Sequence, residues 1–120
     1  MQIRVYYEDT DCGGIVYYAN YLKFCERARS NLFFERGLSP HQEDEFFVVK
    51  SLEAEYIKSA KFGDLLDVTT EILSKSAVTV EILHKIFNQN ELLFSSKVKL
   101  VYLKKSKPSR IPKQTLEIFL

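Results

Sequence analysis

The spacing of apolar positions along this chain changes from alternating to helical and back again, and each change predicts an element. Gln2 to Tyr7 alternates well enough for a strand. From about Tyr18 to Gly37 the period is helical. Tyr21, Phe24, Cys25, Ala28 and Leu32 recur at three- and four-residue spacing and make one apolar face, with Lys23, Glu26, Arg27 and Arg29 on the polar side. Gly37 is a natural C-terminal cap and Pro40 prevents the helix from resuming. Polar residues 39–45 predict a loop or an extra turn.

Beyond that loop the helical period is absent. Phe46 to Ile57 is rich in β-branched and aromatic residues, with Val48, Leu52, Ala54 and Tyr56 on one parity. Lys61-Phe62-Gly63-Asp64 reads as a turn, and Leu66, Val68, Thr70 and Ile72 as a second long strand. Ser74-Lys75-Ser76 breaks that strand, Val78, Val80, Ile82 and Ile86 restart the alternation, and Asn88-Gln89-Asn90 turns the chain again. Phe94, Val98, Leu100 and Tyr102 define the last strand. Three consecutive hairpins are expected to join these strands into an antiparallel meander. Pro108 and Pro112 limit the sheet, and Lys113 to Leu120 predicts a short helix.

A long helix with one apolar face needs apolar surface to cover, and a five-stranded antiparallel sheet supplies it. The expectation is an α+β fold, with the sheet wrapped around the helix. The 120 residues suit one domain, 1–120, and no repeat, low-complexity tract or linker divides it.

Composition narrows the class. Hydrophobic residues make up 46% and charged residues 28%, an ordinary globular balance. No apolar run approaches the ~18–20 residues that span a bilayer. The N-terminal Met-Gln-Ile-Arg-Val-Tyr-Tyr-Glu lacks signal-peptide architecture, so a cytoplasmic location is expected. A formal net charge of +1 gives no global field for nucleic acid. Cys12 and Cys25 form no Cys-x-x-Cys pair, and His41 and His84 lie far apart, so no metal site is expected. Cys12 has no histidine near it in sequence to act as a base, which argues against a thiol nucleophile.

The chemistry concentrates in Tyr6 to Leu22. Glu8, Asp9 and Asp11 fall within four residues, Gly13 and Gly14 follow, and the helical period begins soon after. Glycine lets the backbone turn tightly and lie close to a ligand. The first turn of a helix offers unpaired N–H groups. A carboxylate beside such donors is equipped to attack a carbonyl and stabilise the resulting oxyanion. The same spacing equally describes a capped helix preceded by a solvated acidic turn.

The order Tyr7-x-Asp9-Thr10-Asp11-x-x-Gly14-x-Val16-Tyr17-x-x-Asn20-Tyr21, followed by Glu26-Arg27-Ala28-Arg29, resembles the hotdog-fold acyl-CoA thioesterases. The resemblance is to the YbgC-like branch, relatives of 4-hydroxybenzoyl-CoA thioesterase. It is strongest over residues 5–29 and continues through Ala60-x-x-Gly63-Asp64 and Arg110-Ile111-Pro112. It implies the hotdog fold and hydrolysis of an acyl-CoA or acyl-carrier-protein thioester in acyl-lipid metabolism. No cofactor is implied, because coenzyme A is part of the substrate.

The resemblance also assigns residues. Asp11 takes the place of the acting carboxylate, as nucleophile or as base toward water, and Asp9 that of a loop-structuring partner. The backbone N–H of Tyr18 stands where the family polarises the carbonyl. The YbgC-like branch commonly has histidine there and the benzoyl-type relatives have tyrosine. Gly13, Gly14, Val16 and Tyr17 complete the motif as substrate-binding candidates. Lys75 lies where the benzoyl-type relatives carry a basic phosphate-binding run.

Lys104 and Lys105, with Lys107, Arg110 and Lys113, form a basic segment suited to coenzyme A phosphates or an acidic carrier protein, although such a run is commonly only a solvated face. Glu26 reads as a surface or interface ion-pair residue toward Arg29, and His41 and His84 as loop and strand-surface residues. The family implies a homo-oligomer, dimer or dimer of dimers, joined at sheet edges. A non-catalytic acyl-binding module or a hotdog dehydratase is the alternative. Dehydration needs an acid–base pair, usually with histidine, and the helix-start loop has none.

Overall fold

The computed structural model describes residues 1–119. The elements are β1 (Gln2–Arg4), a single 3₁₀ turn (Tyr7–Asp9), α1 (Asn20–Phe34), β2 (Glu45–Tyr56), β3 (Leu65–Lys75), β4 (Thr79–Asn88), β5 (Glu91–Lys104), β6 (Lys107–Pro108) and α2 (Lys113–Ile118). They form an antiparallel sheet ordered β1-β3-β4-β5-β2, with β6 added beside β5. This is the α+β arrangement the sequence predicts, with the extra two-residue strand as a correction to five. The expected C-terminal helix is present over Lys113–Ile118, and Leu120 lies outside the described residues.

Alternation decides which residues face the core. In β4, Val80, Ile82, His84 and Ile86 are fully buried while the intervening positions are half-exposed. Tyr21, Phe24, Cys25, Ala28 and Phe33 are the buried positions of α1. Phe33 holds the place expected of Leu32, which is half-buried against the same cluster. One group of core side chains gathers Phe24, Leu66, Ile86 and Phe94, and another gathers Phe33, Val80, Ile82, Val98 and Phe119. Bulges between Val49 and Ser51, Ile72 and Ser74, and Ile86 and Phe87 bend the long strands.

The expected meander is corrected. Two hairpins join β3, β4 and β5, but β2 pairs with the far edge of β5 and not with β3. Residues 57–64 cross between them. The N–H groups of Ile57 and Lys58 donate to Leu93 O, while Val5 N–H donates to Asp64 O and Gly63 N–H to Val5 O. That pins β3 beside β1. Alternation specifies faces, which both strand orders satisfy equally. The helix is shorter than predicted, beginning at Asn20 and ending at Phe34, and Gly37 closes its C-terminal turn at φ 69. β3 continues through the expected break to Lys75, because its bulge absorbs the irregularity.

His84 is not the surface residue its motif-free position suggests. It shares the inward parity of Ile82 and Ile86 and is 0% exposed. Arg29 Nη1 lies 3.2 Å from its Nε2, and its Nδ1 lies 3.2 Å from Thr69 O, so the neutral ring is satisfied on both sides. Burial, then the Arg29 charge, lowers its pKa from 6.5 to about 4. The unfolded chain therefore binds this proton more readily than the fold does. Stability from this group is full above about pH 6.5 and falls progressively toward pH 4, by at most about 3 kcal/mol. A Tm profile between pH 7 and 4 should be steeper for the parent than for His84→Gln, and equal slopes would contradict this.

Candidate active site

The loop from Tyr6 to Ala19 is built by its own polar residues. Asp9 Oδ2 accepts the Tyr6 N–H at 2.8 Å, closing the 3₁₀ turn, and Asp9 O accepts the Tyr17 N–H at 3.0 Å and Asn20 Nδ2 at 2.8 Å. Asp11 then turns the chain. Its N–H donates to Ile15 O at 2.9 Å, its carbonyl accepts the Gly14 N–H at 3.1 Å, and its Oδ1 accepts the Gly13 N–H at 2.8 Å. Gly14 sits at φ 79, which favours glycine. A Cβ at Gly13 would stand 3.2 Å from Asp11 Oδ1, tight enough to disturb the carboxylate. Val16 N–H donates to Ala60 O, anchoring the loop on the 57–64 crossover.

Asp11, Val16, Tyr17 and Tyr18 line one open cleft of about 340 Å³, closed from the other side by Tyr21 and the end of β2 at Tyr56 to Ser59. Asp11 is exposed, and its Oδ2 has no partner among the described residues. Tyr18 does not lie in the helix, as its expected place at the helix start suggests, but one residue before the Ala19 cap. Its N–H also lacks a partner among the described residues. Asp11 and Tyr18 thus bring to one cleft a carboxylate oxygen and a backbone donor without partners among the described residues, group types that can attack and polarise a carbonyl.

Lys75, Lys104 and Lys105 are not brought to this cleft within one chain. Along the β2–β5 ladder Tyr56 pairs with Phe94, whereas Glu45 pairs with Lys104. At ~3.3 Å per residue the separation is roughly 30–35 Å. Lys75 pairs with Val80, and Val80 with Leu100, so it shares the Lys104 end. Glu26 accepts a hydrogen bond from Ser30 Oγ at 2.6 Å, while Arg29 turns inward to His84. A separate pocket of about 240 Å³ between Arg29, Phe33, Phe47 and Leu100 contains none of the predicted site residues. Among the described residues no group of His, Cys, Asp and Glu is gathered to hold a metal ion, and no helix is long and apolar enough to cross a membrane.

The cleft residue that sequence reasoning missed is Tyr56. Its hydroxyl donates to Tyr18 O at 2.9 Å, and its ring meets those of Tyr18, Tyr21 and Phe94. In the sequence it is one more strand aromatic, 38 positions from Tyr18, with no local pattern to mark it.

A helix packed on a long antiparallel sheet, with a carboxylate loop at the helix entry, defines a hotdog thioesterase architecture. A solved structure described as a probable thioesterase from Bartonella henselae superposes with a TM-score of 0.87 at 32% identity, covering 93% of this chain and 97% of that one. The thioesterase superfamily model matches residues 13–95, and the chain belongs to that superfamily. It is 40% identical to the acyl-CoA thioesterase YbgC of Helicobacter pylori, over 98% of this chain and 97% of that protein. It is 37% identical to the acyl-CoA thioester hydrolase YbgC of Escherichia coli, over 98% and 92%.

Proposed function

We propose that this protein hydrolyses acyl-CoA thioesters to a free carboxylic acid and a thiol, with Asp11 as nucleophile or general base and the Tyr18 N–H polarising the carbonyl. The observation that carries the reading is that Asp11 and Tyr18 line one cleft of a thioesterase-superfamily chain, with Asp11 Oδ2 and the Tyr18 N–H both without partners among the described residues. The two named relatives, similar over nearly their whole length, support acyl-CoA as the substrate class. A thioester is an activated acyl group, so one ionised carboxylate and one backbone donor suffice without a Ser-His-Asp triad. Gly13 and Gly14 shape the turn that aims Asp11, and Val16 and Tyr17 line the acyl side. Thiol release across short, long and aromatic acyl-CoAs, with acyl carrier protein substrates in parallel, tests the reading. Release no faster than without protein on every substrate would contradict it.

The active assembly is a dimer, or a dimer of dimers, joined through β2. Among the described residues this twelve-residue strand pairs along its length only with β5, a single His41–Phe46 bridge at its start apart, and its second half is exposed. Antiparallel pairing of two β2 strands about a two-fold axis sets residue 45 of one beside residue 56 of the other. The partner's Lys104 and Lys105 then approach the Asp11 cleft that the same residues cannot reach within their own chain. In this role they attract coenzyme A phosphates. Lys104→Gln with Lys105→Gln should raise KM severalfold with kcat nearly unchanged, and added salt should mimic the change. Thioesters of N-acetylcysteamine should not respond. Equal effects on full and truncated substrates would contradict phosphate recognition, and a defect confined to acyl carrier protein would identify a protein-docking surface.

A further inference from the structure

The two peptide groups ahead of α1 are each held by their carbonyls. Tyr17 O accepts the Asn20 N–H at 2.9 Å, and Tyr18 O accepts the Tyr56 hydroxyl at 2.9 Å. In a trans peptide the N–H points opposite to the C=O, so these anchors aim the N–H groups of Tyr18 and Ala19 away from them. That Asn20 N–H to Tyr17 O bond closes a four-residue turn with Ala19 third at φ −70 and ψ −22, the type I form, which makes Tyr18 right-handed and keeps the N–H groups of Tyr18 and Ala19 roughly parallel. Neither N–H has a partner among the described residues.

Only one of the two anchors comes from outside the loop. Tyr56 sits at the end of β2, and its ring is fixed edge-on by Tyr18 at 6.4 Å, Tyr21 at 5.6 Å and Phe94 at 5.0 Å. Tyr21 is itself immobilised, its hydroxyl accepting the Ala60 N–H at 2.9 Å. Partial burial, with the neighbouring Tyr18 and Tyr21, raises the Tyr56 phenol above its ordinary value, so it stays protonated and remains a donor.

We propose that Tyr56 is a positioning residue for hydrolysis. Its hydroxyl holds the Tyr18–Ala19 peptide so that the N–H groups of Tyr18 and Ala19 together face the developing oxyanion. The proposal rests on the hydrolytic reading of the cleft and adds a second donor and the group that sets it. A hydrogen bond accepted at Tyr18 O also polarises that peptide and strengthens the Ala19 N–H as a donor. Without the hydroxyl the peptide is free to swing, and part of the preorganisation that makes such donors effective is lost.

Tyr56→Phe keeps the ring and removes only the donor. It should lower kcat about three- to tenfold, the scale of one net hydrogen bond, with KM little changed. A trifluoromethyl ketone analogue of acyl-CoA, which presents a tetrahedral oxygen, should lose affinity by a similar factor. A non-hydrolysable thioether analogue should bind as it does to the parent. Equal weakening of both analogues would make Tyr56 a simple lining residue and overturn the proposal. Parental kcat in Tyr56→Phe, with Asp11→Asn inactive, would overturn it while leaving the hydrolytic reading intact. Parental kcat in Asp11→Asn would remove that reading, and the proposal with it.

Discussion

Asp11→Asn is expected to fold like the parent and to lose at least about a hundredfold in kcat, the scale of removing one essential acid–base or electrostatic group. The reasons are local. Asp11 is exposed, and among the described residues its only side-chain hydrogen bond is the one Oδ1 accepts from the Gly13 N–H, which an asparagine oxygen can also accept. The substitution therefore leaves the turn standing and removes the charge. An unchanged Tm with thiol release reduced a hundredfold is the expected pair of results. Turnover near the parent's would move the chemistry to Glu8 or Asp9, and of these Asp9 is already committed to the Tyr6 N–H.

The second large effect concerns assembly. Val49 and Leu52 stand on the edge strand β2 and are 49% and 43% exposed. Glutamate at both positions sets like charges across a β2–β2 contact and should abolish it. The parent should sediment at twice the 14.0 kDa chain mass or a higher multiple. Val49→Glu with Leu52→Glu should sediment as a monomer and lose most of its kcat/KM toward acyl-CoA, because in the proposed dimer the partner's residues complete the cleft. A monomeric parent, or a fully active monomeric variant, would contradict the shared site.

The elements were legible in the sequence because period and parity are local properties. The alternation of Val80, Ile82 and Ile86 and the helical spacing of Tyr21, Phe24, Cys25 and Ala28 reappear as buried faces. Strand order was not legible. Whether β2 pairs with β3 or with β5 depends on the route of residues 57–64, and both arrangements bury the same side chains. His84 was misread for a related reason. Its polar side chain disguised an inward position that the parity of its neighbours already indicated, and its partners Arg29 and Thr69 come from other elements.

The site divides in the same way. The motif placed Asp11, Val16, Tyr17 and Tyr18 within a dozen residues, and they share one cleft. Lys75 joins them by the family resemblance and Lys104 and Lys105 by charge, and the ladders carry all three toward the opposite end of the sheet. Tyr56 reaches the Tyr18 carbonyl only through the fold, so no spacing rule reveals it.

The central claim is that this cleft turns over acyl-CoA and does not merely bind it. The most direct measurement follows free thiol and free acid together when wild-type protein meets a large molar excess of acyl-CoA. Equimolar acid and thiol, accumulating well beyond one equivalent per chain and nearly absent with Asp11→Asn, is the predicted result. Tight binding of one acyl-CoA per site with no thiol released, identical in wild type and Asp11→Asn, would contradict it.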